Sequence, residues 1–390
     1  MSSMFNYLPV ITLTGPRQSG KTTLCRHLFP DLPYVNLENA STLSAFKEDP
    51  VRFLSEYPEG VIIDEAQHAP EVMSWIQVLV DEVRMGNQAP KRFVVTGSNN
   101  FKLLEQASQS MAGRTAILSL LPLSVAEICA YRKTVNTDEL IFRGGYPGVW
   151  NVDLPGRNVL LENYYSTYIE RDVKSLLNVR DAQAFRLFIR LCASRVACEF
   201  NASAMALEVG VKVPTIQHWL SVLEASYIIY RLQPYYANLG KRLTKTPKIY
   251  FYDTGLASYL LGINAIEQLH THPLRGELFE NLAMNEAMKY SSNRGKNEEF
   301  CFYRDKSQRE VDLLHLRPDG IDAYEIKSSQ TYNSQFFKNI DYLKLFLGDR
   351  IKRSTLIYDG AEESTAYSEH AYCNLRSLQA VMEQSGQMRP

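Results

Sequence analysis

The sequence predicts an α/β fold in three parts: a parallel sheet covered by helices, a helical middle, and a second α/β unit at the carboxyl end. Three observations predict it. Residues 10–123 alternate short β-branched runs with helical stretches, which is the pattern of a parallel sheet with helices on both faces. A glycine-rich loop, Gly15–Thr22, joins the first run to the first helix. From about Phe200 two short helices are followed by two strand-like runs, and near Gly276 a helix, a hairpin and a further helix begin.

In chain order, the strand candidates of the first part are Val10–Thr14, Tyr34–Leu37, Val61–Asp64, Arg92–Thr96 and Thr115–Leu120. Helical stretches between them cover Lys21–Phe29, Thr42–Tyr57, Glu71–Val83 and Phe101–Ala112. A helical region runs from Leu123 to about Ala197, interrupted by a turn at Gly144-Gly145-Tyr146-Pro147. Leu161, Tyr165, Tyr168 and Val173 recur there near helical spacing, a stripe read as core. Next come a short helix Ala202–Val209, a turn at Gly210 and a helix Pro214–Ala225 whose Ile216, Leu220 and Leu223 share one face. The runs Tyr227–Leu232 and Lys248–Tyr252 follow, joined by a loop carrying Lys241, Arg242 and Lys245. Helix–turn–helix followed by a hairpin is a winged-helix pattern. The end holds a helix, a hairpin over Glu310–Ser328 and a helix over Gln335–Leu347, and the last thirty residues show little periodicity. The expected organisation is a core over 1–123, a helical lid or linker over 124–197, a winged helix over 198–262, a terminal domain over 263–358 and a loosely held tail over 359–390.

Composition narrows the function classes. Apolar residues at 45% and charged ones at 22% belong to a globular chain, and 390 residues suggest more than one core. A net charge of −1 confines any nucleic-acid surface to a local patch. Six scattered cysteines without a CxxC pair argue against a disulfide framework or a zinc site, and the chain reads as cytoplasmic. No run approaches the ~18 apolar residues needed to span a bilayer, so no membrane is expected.

The chemistry begins at Gly15-Pro16-Arg17-Gln18-Ser19-Gly20-Lys21-Thr22, an unbroken GxxxxGK[ST], with Thr23 beside it. A chance match in a chain of this length is about a one-in-a-hundred event. Backbone N–H groups of such a loop, at the positive end of a helix, cradle phosphates. Lys21 is expected on the β- and γ-phosphates of ATP, and Thr22 on Mg2+. Val61-Ile62-Ile63-Asp64-Glu65 supplies the second half: Asp64 is placed for the Mg2+ shell, and Glu65 suits general-base activation of water. At the end of Val94-Val95-Thr96-Gly97-Ser98, either Ser98 or Asn99 is placed to sense the γ-phosphate, with a capped turn as the alternative.

The chain resembles the AAA+ superfamily ATPases of bacteria and archaea whose core is followed by a carboxy-terminal domain of unknown function. The resemblance is carried by GPRQSGKTTL, VIIDEAQ, VTGSNN, AGRTAILSLLPLSVAE and GGYPGV, then by KIYFYDTGL, GELFENLAMNE, REVDLLHL and YEIKSS. It implies a P-loop ATPase core and assembly into a homo-oligomeric ring with an arginine contributed between subunits. Arg114 is the first candidate for that arginine and Arg171 the second, with a plain salt-bridged arginine as the alternative.

The winged-helix pattern points to DNA as a partner. Lys241, Arg242, Lys245 and Lys248 make the wing basic, but the helix Pro214–Ala225 carries no Lys or Arg. The terminal unit resembles the PD-(D/E)xK nuclease core, a restriction-endonuclease-like fold, through Glu280, Asp312, Glu325 and Lys327. A two-residue type I′ loop at Asp319-Gly320 would pair Pro318 with Ile321, Leu314 with Glu325, and Asp312 with Lys327. Glu280, Asp312 and Glu325 are then candidate metal ligands and Lys327 a candidate catalytic lysine. The alternative is a cross-strand ion pair between Asp312 and Lys327. Three functions are weighed from these residues: an ATP-driven protein acting on DNA; a nucleotide-controlled signalling switch whose later modules grip a protein partner; and a metal-dependent nuclease with a vestigial ATP site, which the intact Lys21, Thr22, Asp64 and Glu65 disfavour.

Overall fold

A computed structural model describes residues 1–86, 90–97, 111–173, 182–235, 246–364 and 370–387. Contacts divide the chain into two compact units. The first is Met1–Pro122 with Ala225–Tyr227, and the second is Leu123–Glu224 with Ile228–Pro390.

The first unit is built on a five-stranded sheet of β1 (Val10–Thr14), β2 (Tyr34–Asn36), β3 (Gly60–Asp64), β4 (Arg92–Thr96) and β5 (Thr115–Ser119). Their order is β2-β3-β4-β1-β5 and every pairing is parallel. β1 and β3 are buried at every position, as strands covered on both faces are, with Thr12, Thr14 and Asp64 as their polar members. The period of two still decides which core each residue joins. Val10, Val61, Ile63, Phe93 and Val95 pack on one face with Val72, Met73 and Ile76. Ile11, Leu13, Ile62 and Val94 pack on the other with Cys25, Phe29 and Leu32. The stretch expected as one helix over 42–57 is two, Ala40–Glu48 and Pro50–Ser55. Pro50 has no N–H to continue the first helix, and Asp49 caps the second by accepting from the Arg52 N–H at 2.9 Å. The stretch expected as a helix over 101–112 lies largely outside the described residues.

The second unit opens with helices Val125–Tyr131, Thr137–Arg143, Leu154–Asn163 and Ala182–Ser194. Leu161, Tyr165 and Tyr168 of the predicted stripe are buried in its core. Helices Ala202–Val209 and Val213–Ala225 then precede the antiparallel pair β6 (Ile229–Leu232) and β7 (Lys248–Phe251). Ile216, Leu220 and Leu223 are buried, together with Trp219 and Val222, while Gln217 and His218 are exposed. The loop residues Lys241, Arg242 and Lys245 lie outside the described residues.

At the carboxyl end a mixed sheet of order β12-β11-β10-β9-β8 comprises β8 (Glu299–Arg304), β9 (Glu310–Arg317), β10 (Gly320–Lys327), β11 (Ile351–Tyr358) and β12 (Ala371–Asn374). The strands β8, β9 and β10 pair antiparallel, and β10, β11 and β12 pair parallel. The long helix Arg275–Asn293 contributes Leu278, Phe279 and Leu282 to the same core as Leu313, Tyr324 and Ile326. Helix Lys338–Leu347 packs with Val311, Leu314 and Ala323.

Two expectations are corrected here. The β9–β10 hairpin pairs Ile321 with Leu316 and Ala323 with Leu314, so its two-residue loop is Pro318-Asp319. A turn centred on Asp319-Gly320 would have put Pro318 in a ladder position, where it has no N–H to donate. Pro318 instead takes the first central place, which its fixed φ suits. Gly320 follows at φ +154°, where a Cβ would sit 2.8 Å from the Arg350 carbonyl oxygen. The slip is two residues, so every side chain keeps its face. Second, the terminal stretch is not a loose tail where it is described: β12 joins the sheet, and Leu378, Val381 and Met382 of helix Leu378–Gln387 are buried.

Candidate nucleotide site

β1 delivers its last buried residue, Thr14, to the glycine-rich loop, and helix Lys21–Leu28 leaves from the other side. Gly15 stands at φ +142°, and a Cβ there would lie 2.1 Å from the Leu120 carbonyl oxygen, so no side chain fits. Lys21 is almost fully buried and donates from Nζ to the carbonyl oxygens of Gly15 at 3.0 Å and Pro16 at 2.7 Å. Burial pushes its pKa down to about 8, against the opposing pull of Glu65 and Asp64. The Ser19 hydroxyl is buried in the loop with no hydrogen-bond partner among the described residues. A desolvated ammonium and an orphaned hydroxyl inside a glycine loop fit a polyphosphate, which supplies the missing acceptor and counter-charge. Arg17 is half-buried with Glu38 at 3.9 Å, and Gln18 and Thr23 point to solvent.

β3 ends on Asp64, whose carboxylate is filled from four directions. Oδ2 accepts the Thr22 hydroxyl at 2.6 Å and the Tyr34 hydroxyl at 2.9 Å. Oδ1 accepts the Glu65 backbone N–H at 3.0 Å and the Thr96 hydroxyl. A hydroxyl and a carboxylate in direct contact at a helix start are the hard oxygen donors that Mg2+ prefers. Glu65 follows at φ +54°, with Gln67 donating to its Oε2. Lys21, Thr22, Asp64 and Glu65 therefore converge at the carboxyl ends of β1 and β3, with β4 between them.

Two site residues were not picked out by sequence patterning, Tyr34 and Thr96. Thr96 had a signal: a polar residue closing the buried run Phe93-Val94-Val95 at the same sheet edge. Tyr34 had none, because its hydroxyl acts away from its own strand position. Ser98 and Asn99 lie outside the described residues. Arg114 forms a two-toothed pair with Asp81, Nε to Oδ1 at 2.7 Å and Nη2 to Oδ2 at 2.8 Å, and Nη1 donates to the Ala112 carbonyl. That guanidinium is engaged within its own unit. The side chain of Arg171 is outside the description.

The charged cluster of the carboxyl-terminal sheet is a separate arrangement. Lys327 Nζ lies 2.8 Å from Glu325 Oε1 and 3.6 Å from Asp312 Oδ2. Asp312 Oδ2 also accepts the Ile326 N–H at 2.8 Å. Glu280 accepts from Lys248 Nζ at 2.9 Å and from the Tyr250 hydroxyl at 2.7 Å. Lys248, placed in the basic wing by sequence, is instead buried between Glu280 and Glu310, the latter at 2.5 Å. All four residues of β7 are buried, and Lys248 is held inside by the carboxylates of Glu280 and Glu310. Burial and the charge of Asp312 hold the Glu325 carboxyl above its usual range, and burial raises Glu280. Among the described residues no three His, Cys, Asp or Glu side chains are placed to hold a metal ion together. Asp312 and Glu325 lie together beside Lys327, while Glu280 is engaged by Lys248 and the Tyr250 hydroxyl. No helix among the described residues is long and apolar enough to cross a membrane.

Family models match three stretches of the chain. Residues 8–129 match the AAA domain family, residues 134–267 a domain of unknown function (DUF8612) and residues 275–378 another (DUF4143). A solved Walker-type ATPase of Pyrococcus abyssi superposes with a TM-score of 0.42 at 14% identity, over 66% of this chain and 93% of that one. An uncharacterized protein of Haemophilus influenzae is 25% identical over 77% of this chain and 74% of its own length. Uncharacterized proteins of Mycobacterium tuberculosis and Mycobacterium bovis are each 32% identical over 329 residues, 83% of this chain and 71% of theirs. The chain belongs to the family of these mycobacterial proteins, with an AAA-family P-loop domain at its amino-terminal end.

Proposed function

We propose that the protein binds ATP with Mg2+ in the Gly15–Thr22 loop and hydrolyses it. The observation that carries the reading is the convergence of Lys21, Thr22, Asp64 and Glu65, with Lys21 desolvated and lacking an anionic contact closer than the loop's own carbonyls. Thr22 and Asp64 would hold the Mg2+, which when bound neutralises phosphate charge. Lys21 turns its ammonium from the Gly15 and Pro16 carbonyls to the phosphate oxygens and regains full charge there. Glu65 accepts the proton of the attacking water. The Glu65→Gln variant tests this directly: nucleotide should still bind, and turnover should fall by about 10²–10⁴-fold. Equal turnover in wild type and variant would remove Glu65 from the role.

For the work that ATP drives, the charged cluster favours a switch with binding modules over a metal-dependent nuclease. Glu280, which the nuclease reading needs as a ligand, is engaged by Lys248 and the Tyr250 hydroxyl. Contact with DNA rests on the wing charges Lys241, Arg242 and Lys245. Turnover measured with and without single-stranded, duplex and branched DNA separates the readings: stimulation supports a DNA-directed motor, and indifference supports a switch that grips a protein.

A further inference from the structure

The geometry points to Tyr34 as a positioning residue that holds Asp64 in register for the Mg2+–nucleotide complex. This rests on the ATP reading above and extends it to a residue outside the P-loop and the β3 carboxylates. A carboxylate oxygen has two lone-pair directions, and on Asp64 Oδ2 both are taken by hydroxyls, those of Thr22 and Tyr34. The two donors differ in kind. Thr22 is itself proposed to bind the cation, so its hydroxyl is shared once Mg2+ arrives. Tyr34 has no such second duty, and its grip on Oδ2 persists through the cycle.

The placement of Tyr34 suits that task. In the β2–β3 register Tyr34 lies opposite Ile62, and Asn36 lies opposite Asp64. The hydroxyl therefore reaches diagonally along the sheet to Asp64, a span that a phenol covers and a serine or threonine does not. The ring is fixed from the other side by Arg26, whose guanidinium stands 5.3 Å from the ring centroid. Arg26 sits on the helix that begins with Lys21, one turn beyond Thr22. Tyr34 thus ties the phosphate-binding helix to the end of β3. The terminal torsion of an aspartate is soft and roughly two-fold. Without Tyr34, Oδ2 loses its one donor that is not shared with the cation.

The experiment is Tyr34→Phe in the full chain, which keeps the ring and its contact with Arg26 and deletes only the hydroxyl. Affinity for a fluorescent ATP analogue is measured in EDTA and across a Mg2+ titration, and turnover is measured separately. The expected result is unchanged affinity in EDTA, with half-saturating Mg2+ raised by about three- to tenfold, in line with the net loss of one ordinary hydrogen bond. A Mg2+ dependence equal to that of wild type overturns the inference, as does one shifted to lower Mg2+, which would make Tyr34 a competitor of the cation. Weaker binding in EDTA by the same factor also overturns it, since Tyr34 would then only be shaping the loop. Failure of the ATPase reading shows elsewhere, as absent turnover in wild type, and leaves the Mg2+ titration of binding to judge Tyr34.

Discussion

Replacing Lys21 with methionine should make the nucleotide-free protein more stable while abolishing ATP binding. Lys21 is 6% exposed and its charge is balanced only by carbonyl dipoles and by Asp64 and Glu65 at longer range. The descent of its pKa from 10.5 to about 8 corresponds to a burial penalty on the order of 3 kcal/mol at neutral pH, at about 1.4 kcal/mol per pKa unit. The sign follows from proton counting. Between pH about 8 and 10.5 the unfolded chain binds more protons at this lysine than the folded one, so stability rises with pH there and the full penalty is present below. Methionine has nearly the same length and no charge, and it removes the penalty while keeping most of the packing. In differential scanning fluorimetry at pH 7 without nucleotide, the variant's first transition should rise by several degrees, on the order of 5 °C. Adding Mg2+ and ATP should shift wild type upward and leave the variant unmoved. Wild-type affinity for ATP should also weaken by about tenfold between pH 7 and pH 9 as the free lysine loses its proton. A variant that melts at or below wild type would refute the buried-charge account, and an ATP-induced shift in the variant would refute the assignment of Lys21 to the phosphates.

Two further outcomes test the second unit. Lys248→Met leaves Glu280 and Glu310 without their shared ammonium, which should destabilise that unit by about 3–5 kcal/mol at pH 8 and by less at pH 5–6, where Glu280 takes up a proton; chemical denaturation at the two pH values measures it, and an equal loss at both would show the carboxylates to be solvated. Alanine at Lys241, Arg242 and Lys245 together should flatten the log–log salt slope of duplex DNA binding by about two to three; unchanged slope and affinity would assign the wing to something other than phosphate.

The sequence by itself determined the parallel sheet and the phosphate loop, because both are local in origin. A buried parallel strand is mostly apolar and β-branched, and a polyphosphate cradle needs Gly15 and Gly20 at fixed distances from Lys21 and Thr22. The positions of Asp64 and Glu65 were equally legible as polar residues that end a buried run. Local chemistry also explains the misread elements: Pro50 splits one expected helix, and Pro318 moves the hairpin loop by one residue and the strand register by two. Tertiary structure alone decided what depends on partners distant in the chain. Tyr34 reaches Asp64 from thirty residues away, and no pattern in β2 announces it. Lys248 looked like a wing cation until the fold placed Glu280 and Glu310 against it. Arg114 is engaged because Asp81 arrives from another element. In each case the charge is written in the sequence, but whether it meets solvent, a substrate or a counter-ion is set by what the fold brings within about 3 Å of it.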